Sequence, residues 1–322
     1  MSVHSNSVTV HLRHRLLVNI VMDYIEGHYN RKLSLQEISA IISYSPFHFH
    51  RLFKGVTGEK LNDYIRRIRL EKALMRIINM QEQSLSEIAI DCGFSSLSDF
   101  SRAFKHYYGR NASEVRTHLL NNDDRKICEI DRKISESYFD TKYYNQISPD
   151  GSSRIEAERT LKVTVKQLPS YRVVYERCIG RQDPFSDQER IRKAFENVST
   201  WTKSKSNDIF QSMYIGIPHY HPILEDMLKW RYDACRTVPM NLDVEAGINS
   251  RQLAGGTYAV IQVEKEKQSN MFDAVMAIWW LNWLPDNGFI LDDSRPLLEL
   301  YPVSDIRHAV YMDCCIPIIP QR

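Results

Sequence analysis

The chain has 322 residues, of which 43% are hydrophobic and 25% are charged, and its formal net charge is +2. This length allows two domains, and this composition is ordinary for a globular protein. The sequence has no apolar run long enough to span a membrane, and basic residues interrupt the region where a secretory signal would be apolar. We therefore expect a cytoplasmic protein without a membrane partner.

The first predicted element follows an N-terminal tail of residues 1–15. Apolar residues at helical spacing predict a helix over Leu16–Tyr29, and a similar pattern predicts another over Leu61–Ile78. These helices frame an internal repeat, because the motif at Ser34–Ile38 recurs at Ser84–Ile88. The two copies indicate one domain, which we place at residues 16–120.

Each copy of the repeat predicts a helix, a tight turn and a second helix. Ser34 and Glu37 have the spacing of a capping box, and Ser84 and Glu87 repeat it. The second helix of each copy ends in the same Arg-x-Phe-Lys pattern, at residues 51–54 and 102–105. A double helix-turn-helix domain that is entirely helical is the predicted fold of this region.

The second helix of a helix-turn-helix enters the major groove of DNA, where its outward residues meet base edges. In the predicted helices, Phe49, Leu52 and Phe53 form one core face and Phe100, Ala103 and Phe104 form the other. The residues predicted to face bases are Phe47, His50, Arg51, Leu97, Ser98, Ser101 and Arg102. Lys54 and Lys105 suit phosphate contacts. An ordinary helical bundle is the alternative, but two matched copies weigh against it.

Charge is distributed unevenly along the chain. Residues 11–120 carry 16 Lys and Arg against 11 Asp and Glu, whereas residues 159–322 carry 20 of each kind. The basic surplus therefore lies in the region of the repeat, where a polyanion such as double-stranded DNA would bind.

The stretch Gly93–Gly109, GFSSLSDFSRAFKHYYG, resembles the C-terminal signature of AraC-type transcription regulators. Phe53–Ala73 resembles the junction and linker helix of the same family. The resemblance covers about Leu16–Arg116. It implies a transcription regulator that reads double-stranded DNA with both recognition helices. It leaves open whether RNA polymerase is a further partner.

Residues 121–158 are rich in breakers and are predicted to be a linker, with helix between Arg125 and Phe139. Beyond them, at residues 159–322, two strand-helix-strand-strand units follow in tandem. This order predicts an α+β domain with a largely antiparallel sheet and a groove between the units. The predicted strands are Leu161–Val165, Tyr171–Tyr175, Met213–Ile217, Trp230–Val238, Thr257–Val263, Leu297–Tyr301 and Val310–Ile316. The predicted helices lie at Ile191–Trp201 and Phe272–Trp283.

Four stretches of this half resemble the GyrI-like effector-binding domain. They are Trp230–Pro239, Leu253–Glu264, Trp283–Gly288 and Arg295–Val303. The resemblance covers about Leu161–Ile316. It implies that this domain binds a hydrophobic and often cationic small molecule in the groove between the repeats.

Glu299 is the candidate for recognition of such a ligand. In a strand over Leu297–Tyr301 its side chain shares a face with Leu297 and Tyr301, and a carboxylate among apolar groups is costly unless it is paired. A ligand cation could pair it, or an ion pair with Arg231 or Arg295 could hold it. Aromatic residues predicted to supply stacking and cation–π contacts are Tyr232, Tyr258, Trp279, Trp283 and Tyr301.

Other chemistries have little support in the sequence. The six cysteines form no CxxC pair and no zinc-like cluster, so we expect reduced structural thiols, no metal and no cofactor. No nucleophile elbow, phosphate-binding glycine loop or HExxH motif is present, so we predict no catalytic residues. The alternatives for the C-terminal domain are a protein-interaction module and a weak hydrolase with Glu299 as its base.

Overall fold

The computed structural model describes residues 2–80, 82–120, 162–180, 184–205, 212–219, 231–244, 247–264, 283–303 and 305–321. It divides the chain into two compact units. One comprises Met1–Ile127 together with Glu245–Asn249, and the other comprises Cys128–Val244 together with Ser250–Arg322. The predicted linker at 121–158, with its helix, lies outside the described residues.

The described helices of the first unit follow the predicted order. They are α1 (Ser2–His28), α2 (Leu35–Ile41), α3 (Pro46–Thr57), α4 (Leu61–Asn79), α5 (Leu85–Asp91), α6 (Leu97–Tyr108) and α7 (Ala112–Leu120). Helix α1 begins at Ser2 rather than at Leu16, so residues predicted to be a tail are helical. No Gly or Pro occurs before Gly27, and therefore nothing in this segment interrupts a helix.

The two helix-turn-helix copies are built alike. Ser45 caps α3 and Ser96 caps α6, each through a hydrogen bond from a backbone N–H of the first turn to its hydroxyl. The turns place Ser43 and Gly93 at positive φ, 56° and 82°. A Cβ at residue 93 would lie 2.7 Å from the carbonyl oxygen of Tyr29, so glycine is required there.

The apolar faces predicted for the two recognition helices are buried. Phe49, Leu52 and Phe53 are buried in α3, and Phe100, Ala103 and Phe104 are buried in α6. Each helix therefore turns its opposite face to solvent. The helical double helix-turn-helix predicted from the sequence is confirmed.

The second unit is an antiparallel sheet with helices, as predicted. Its strands are β1 (Thr164–Leu168), β2 (Tyr171–Ile179), β3 (Tyr214–Pro218), β4 (Arg231–Val238), β5 (Asn249–Leu253), β6 (Gly256–Glu264), β7 (Phe289–Leu291), β8 (Leu298–Tyr301) and β9 (Tyr311–Pro320). Its described helices are α8 (Pro184–Lys205), α9 (Trp283–Asp286) and a 3₁₀ turn at Ile306–His308. Strands β5 and β7 were not predicted, since neither has a clear apolar alternation. Most of the helix predicted over Phe272–Trp283 lies outside the described residues.

The strand order shows how the two tandem units join. The order is β1-β6-β9-β8-β3-β4-β2-β5, with β7 paired to β9. Strands β3, β4 and β2 come from the first strand-helix-strand-strand repeat of this domain, and β8, β9 and β6 come from the second repeat. The antiparallel pairing of β3 with β8 is thus the seam between the repeats. Helix α8 packs on β2 and β4.

Candidate functional site

The first candidate site is the outward face of α3 and α6. All residues predicted to contact bases or phosphates are exposed except His50, which is half-buried. Phe47 is 74% exposed although it is apolar, and the Arg51 guanidinium lies 6.0 Å from the centre of its ring. Leu97 is 40% exposed at the matching end of α6. Apolar and basic groups thus lie together on solvent-facing surfaces that the cores of the two copies do not use.

The second candidate site lies at the seam between β3 and β8. Gly216 on β3 pairs with Glu299 on β8, and Tyr214 pairs with Tyr301. On the other side of β3, Gly216 pairs with Ala234 of β4, which is two residues from Tyr232 and on the same face of that strand. The register therefore brings Tyr232, Glu299 and Tyr301 together from strands that are distant in sequence.

Glu299 is buried and accepts hydrogen bonds from two phenols. The Tyr232 hydroxyl lies 2.5 Å and the Tyr301 hydroxyl 2.9 Å from its Oε2 atom. Burial raises the pKa of Glu299 above its usual value, although both hydrogen bonds act in the opposite sense. Within the described part of the chain, no Lys, Arg or His forms an ion pair with it. The ion pair with Arg231 or Arg295 considered as an alternative is not seen there. Arg295 pairs with Asp292 at 2.6 Å, and Arg231 lies on the face of β4 opposite to Tyr232 and is directed to the carbonyl oxygen of His219.

Phe195 packs against the two phenols that bind this carboxyl group, and we call Phe195, Tyr232 and Tyr301 the aromatic cage. The Phe195 ring of α8 meets Tyr214, Tyr232 and Tyr301 edge-on, with ring centres 5.8, 6.1 and 5.9 Å away. A Cβ at Gly216 would lie 1.9 Å from the Tyr232 hydroxyl and 2.5 Å from Glu299 Oε2. The absence of a side chain at residue 216 therefore makes room for the hydrogen bond between Tyr232 and Glu299.

The other residues predicted for this site lie elsewhere. Tyr258 packs in a core cluster with Leu298 and Leu300, the strand neighbours of Glu299, and is therefore on the opposite face of the sheet. Trp283 of the short helix α9 stacks on Phe289 of β7, with ring centres 6.3 Å apart. Trp279 lies outside the described residues. Sequence alternation cannot tell which face of one strand matches which face of another, because that depends on the register.

The sequence analysis missed a charged cluster on the opposite face of β4. Asp233 is fully buried there, and its carboxylate accepts two hydrogen bonds from Arg177, at 2.7 and 2.8 Å. Arg251 and His219 each lie 2.7 Å from its Oδ2 atom. Burial would raise the pKa of Asp233, but the charge of Arg177, followed by those of His219 and Arg251, lowers it instead. This cluster ties β2, β4 and β5 together behind Tyr232.

We expect the buried carboxyl group of Glu299 to make stability depend on pH. A carboxyl group whose pKa is higher in the folded protein binds more protons when folded, so its contribution to stability falls as pH rises from its usual pKa through the folded value. The free energy of unfolding of wild type relative to Glu299→Gln should therefore decrease with rising pH. Urea unfolding of both proteins between pH 5 and pH 8 measures it. A difference independent of pH would mean that Glu299 titrates as an exposed carboxyl group does.

The described residues offer no sign of metal chemistry. No group of three or more His, Cys, Asp or Glu side chains among them could hold a metal ion. The cysteines among them are buried and none of them is in a disulfide: Cys92, Cys178, Cys235, Cys314 and Cys315. Burial raises the pKa of Cys315 to about 12, so this thiol is not nucleophilic at neutral pH. Among the described helices, none combines the length and the apolar character that a membrane crossing requires.

Comparisons with known proteins match both halves of the chain. A helix-turn-helix domain family matches residues 38–118, and the family of GyrI-like small molecule binding domains matches residues 161–319. A probable transcriptional regulator of Photobacterium leiognathi, LumQ, is 38% identical over 102 residues, which are 32% of this chain and 41% of that protein. The right origin-binding protein of Escherichia coli is 32% identical over 100 residues, 31% of this chain and 34% of that protein. The match thus spans less than half the length of either relative.

Solved structures also match each half separately. The C-terminal domain of AraT, a response regulator from Geobacillus stearothermophilus, is 28% identical, with a TM-score of 0.31, and the match covers 32% of this chain and 87% of that one. The C-terminal domain of EcmrR is 15% identical, with a TM-score of 0.39, and the match covers 50% of this chain and 99% of that one.

Proposed function

The chain carries an AraC-type helix-turn-helix domain and a GyrI-like small-molecule binding domain, and from this premise we propose that it is a transcription regulator controlled by a small effector. The observation that carries the DNA-binding part is the matched pair of recognition helices. Both bury the same apolar face and leave basic, polar and apolar groups on the opposite one. The two helices would enter successive segments of the major groove.

Within this proposal the exposed residues divide into two roles. Phe47, His50 and Arg51 on α3 would contact base edges, as would Leu97, Ser98, Ser101 and Arg102 on α6. Lys54 and Lys105, both exposed at matching positions, would contact phosphates. An arginine can form two hydrogen bonds with a guanine, and an exposed aromatic edge such as that of Phe47 can contact a thymine methyl group.

Arg51→Ala tests this division of roles. We expect it to cost roughly 1–3 kcal/mol of binding free energy on a specific site and to relax base preference there. Lys54→Ala is the matched control on the same helix, and it should weaken binding to all sequences alike and flatten the salt dependence. Selection of sites from a random DNA pool, followed by titration of the selected and the random duplexes, measures both effects. Equal losses on specific and random DNA for both variants would contradict the assignment.

For the effector, we infer a hydrophobic molecule that carries a positive charge. The support is Glu299, a buried carboxyl group without a basic partner among the described residues, inside a cage of Phe195, Tyr232 and Tyr301. Aromatic faces attract cations, and a carboxylate removed from water gains more from a cation than an exposed one does. Tyr258, Trp279 and Trp283 remain predicted effector contacts that this cage does not include.

The remaining expectations stay predictions. RNA polymerase as a further partner, a cytoplasmic location and the absence of catalysis belong to this group. A weak hydrolase would turn the bound molecule over, whereas a sensor only binds it. Incubation of the protein with a binding compound, followed by mass spectrometry of that compound, separates these two functions.

A further inference from the structure

The first unit contains a basic surface that the recognition helices alone do not account for. No Asp or Glu occurs in residues 1–22 or in residues 38–58, which include the first part of α1 and all of α3. Helices α1 and α3 pack against each other. The basic and imidazole side chains of these two acid-free stretches are His4, His11, Arg13, His14, Arg15, His48, His50, Arg51 and Lys54.

A cavity of about 490 Å³ lies between the two helices. It is lined by His14 of α1 and by Phe47, His48, Arg51 and Leu52 of α3. At helical spacing, residues 48 and 52 lie at the flank between the buried face of α3 and its outward face. Phe47 and Arg51 belong to the outward face and are exposed. The cavity therefore borders the surface proposed to contact bases.

We propose that this cavity binds a phosphate of the DNA backbone beside the groove that α3 enters, through His14 of α1 and His48 of α3, and that the exposed Arg13, next to His14 in the chain, adds positive charge there. This inference rests on the proposed function and adds a third DNA contact to the two recognition helices. The imidazole groups of His14 and His48 at the cavity are hydrogen-bond donors for an anion, and no carboxylate of either stretch competes with it. Phosphates border every major groove, so the contact does not depend on sequence.

Histidine as the anion-binding group has a consequence for pH. Burial, followed by the charges of His11, His48 and Arg13, lowers the pKa of His14 below its usual value. Arg51 faces the same cavity from α3, and the Tyr44 ring lies 5.0 Å from that of His48. His14 is therefore neutral in the free protein at neutral pH, and a nearby phosphate favours its protonated form. Binding then takes up protons, so affinity for DNA rises as pH falls.

The test uses the full chain and a short duplex of random sequence, because phosphate contacts act on any DNA. Fluorescence anisotropy at pH 6 and pH 8, over a range of salt concentrations, gives the affinity and the salt dependence. For His14→Gln, the ratio of affinity at pH 6 to that at pH 8 should fall about threefold or more below that of wild type. The slope of log affinity against log salt at pH 6 should lose about 0.9 for the missing phosphate contact.

Two further variants keep the result interpretable. Arg13→Gln changes an exposed side chain of the same helix, and it should weaken binding at pH 6 and at pH 8 and make the salt dependence less steep. His308→Gln removes an exposed histidine of the other unit and should leave the ratio unchanged. A ratio that is equal in wild type and His14→Gln, with a salt dependence that Arg13→Gln leaves unchanged, while wild type binds DNA, overturns this inference alone. Failure of wild type to bind any duplex overturns the proposed function together with it.

Discussion

Replacing Asp233 by alanine should lower the free energy of unfolding of the second unit by roughly 3–5 kcal/mol. The side chains of Asp233 and Arg177 are both fully buried, so the substitution leaves a guanidinium group in the interior without its carboxylate. Arg251 loses the carboxylate oxygen to which it donates a hydrogen bond of 2.7 Å. The stabilisation from Asp233 is present above the usual Asp pKa and is lost as pH falls, because the pKa is lower in the folded protein.

Tryptophan fluorescence during urea unfolding measures this loss, since every tryptophan of the chain lies between Trp201 and Trp283. The matched control is Glu189→Ala, which removes an exposed carboxylate that pairs with the exposed Arg192 on α8. Exposed ion pairs contribute little, so this variant should unfold close to wild type. If the two variants lost the same free energy, Arg177 would be neutralised by groups other than Asp233.

The second large effect is expected at Glu299. Glu299→Gln preserves the size of the side chain but removes its charge, so it should weaken binding of an aromatic cation roughly 10- to 100-fold. A neutral molecule of the same shape should bind both proteins about equally well. N-methylacridinium and acridine form such a pair near neutral pH, and calorimetric titration of the full chain with each compound measures the difference.

The carboxyl group also gives this binding a pH dependence. Because burial raises the pKa of Glu299, its neutral form persists to higher pH in the free protein than that of an exposed carboxyl group does, and a bound cation favours the ionised form. Affinity for the cation should therefore increase as pH rises in wild type and stay flat in Glu299→Gln. Glu189→Gln, which alters an exposed carboxylate of α8, is the control and should bind both compounds as wild type does. Equal losses for both compounds in Glu299→Gln would show a structural role, and no loss for either would place the effector elsewhere.

Local signals account for what the sequence predicted well. Capping serines, apolar spacing and the repeat with its Arg-x-Phe-Lys endings lie within single helices, so they locate α2, α3, α5 and α6 without tertiary information. The exposed faces follow directly from the buried ones. The beginning of α1 was missed because Ser2–Arg15 has no regular apolar face, although it also has no residue that ends a helix.

Tertiary register accounts for what the sequence could not provide. Alternation within β8 predicted correctly that Glu299 lies beside Tyr301, because both belong to one strand. Tyr232 joins them and Tyr258 does not, and this difference depends on how β4 and β6 pair with their neighbours. The partners of Asp233 lie on β2, on β5 and just after β3, separated by long stretches of chain, so only the folded sheet shows that they meet.

Gly216 leaves no spare space beside the carboxyl group of the proposed effector site. The hydroxyl of Tyr232 and the carboxyl group of Glu299 occupy the space that even one methyl group on residue 216 would need. A larger residue at position 216 would therefore separate the carboxyl group of Glu299 from the Tyr232 hydroxyl. Strand β3 would keep its backbone pairing with β4 and β8. A regulator with this substitution would not bind the proposed effector but would retain an intact DNA-binding unit. Such a variant would serve as a control in cells, because any response to the effector that persists must arise from another sensor.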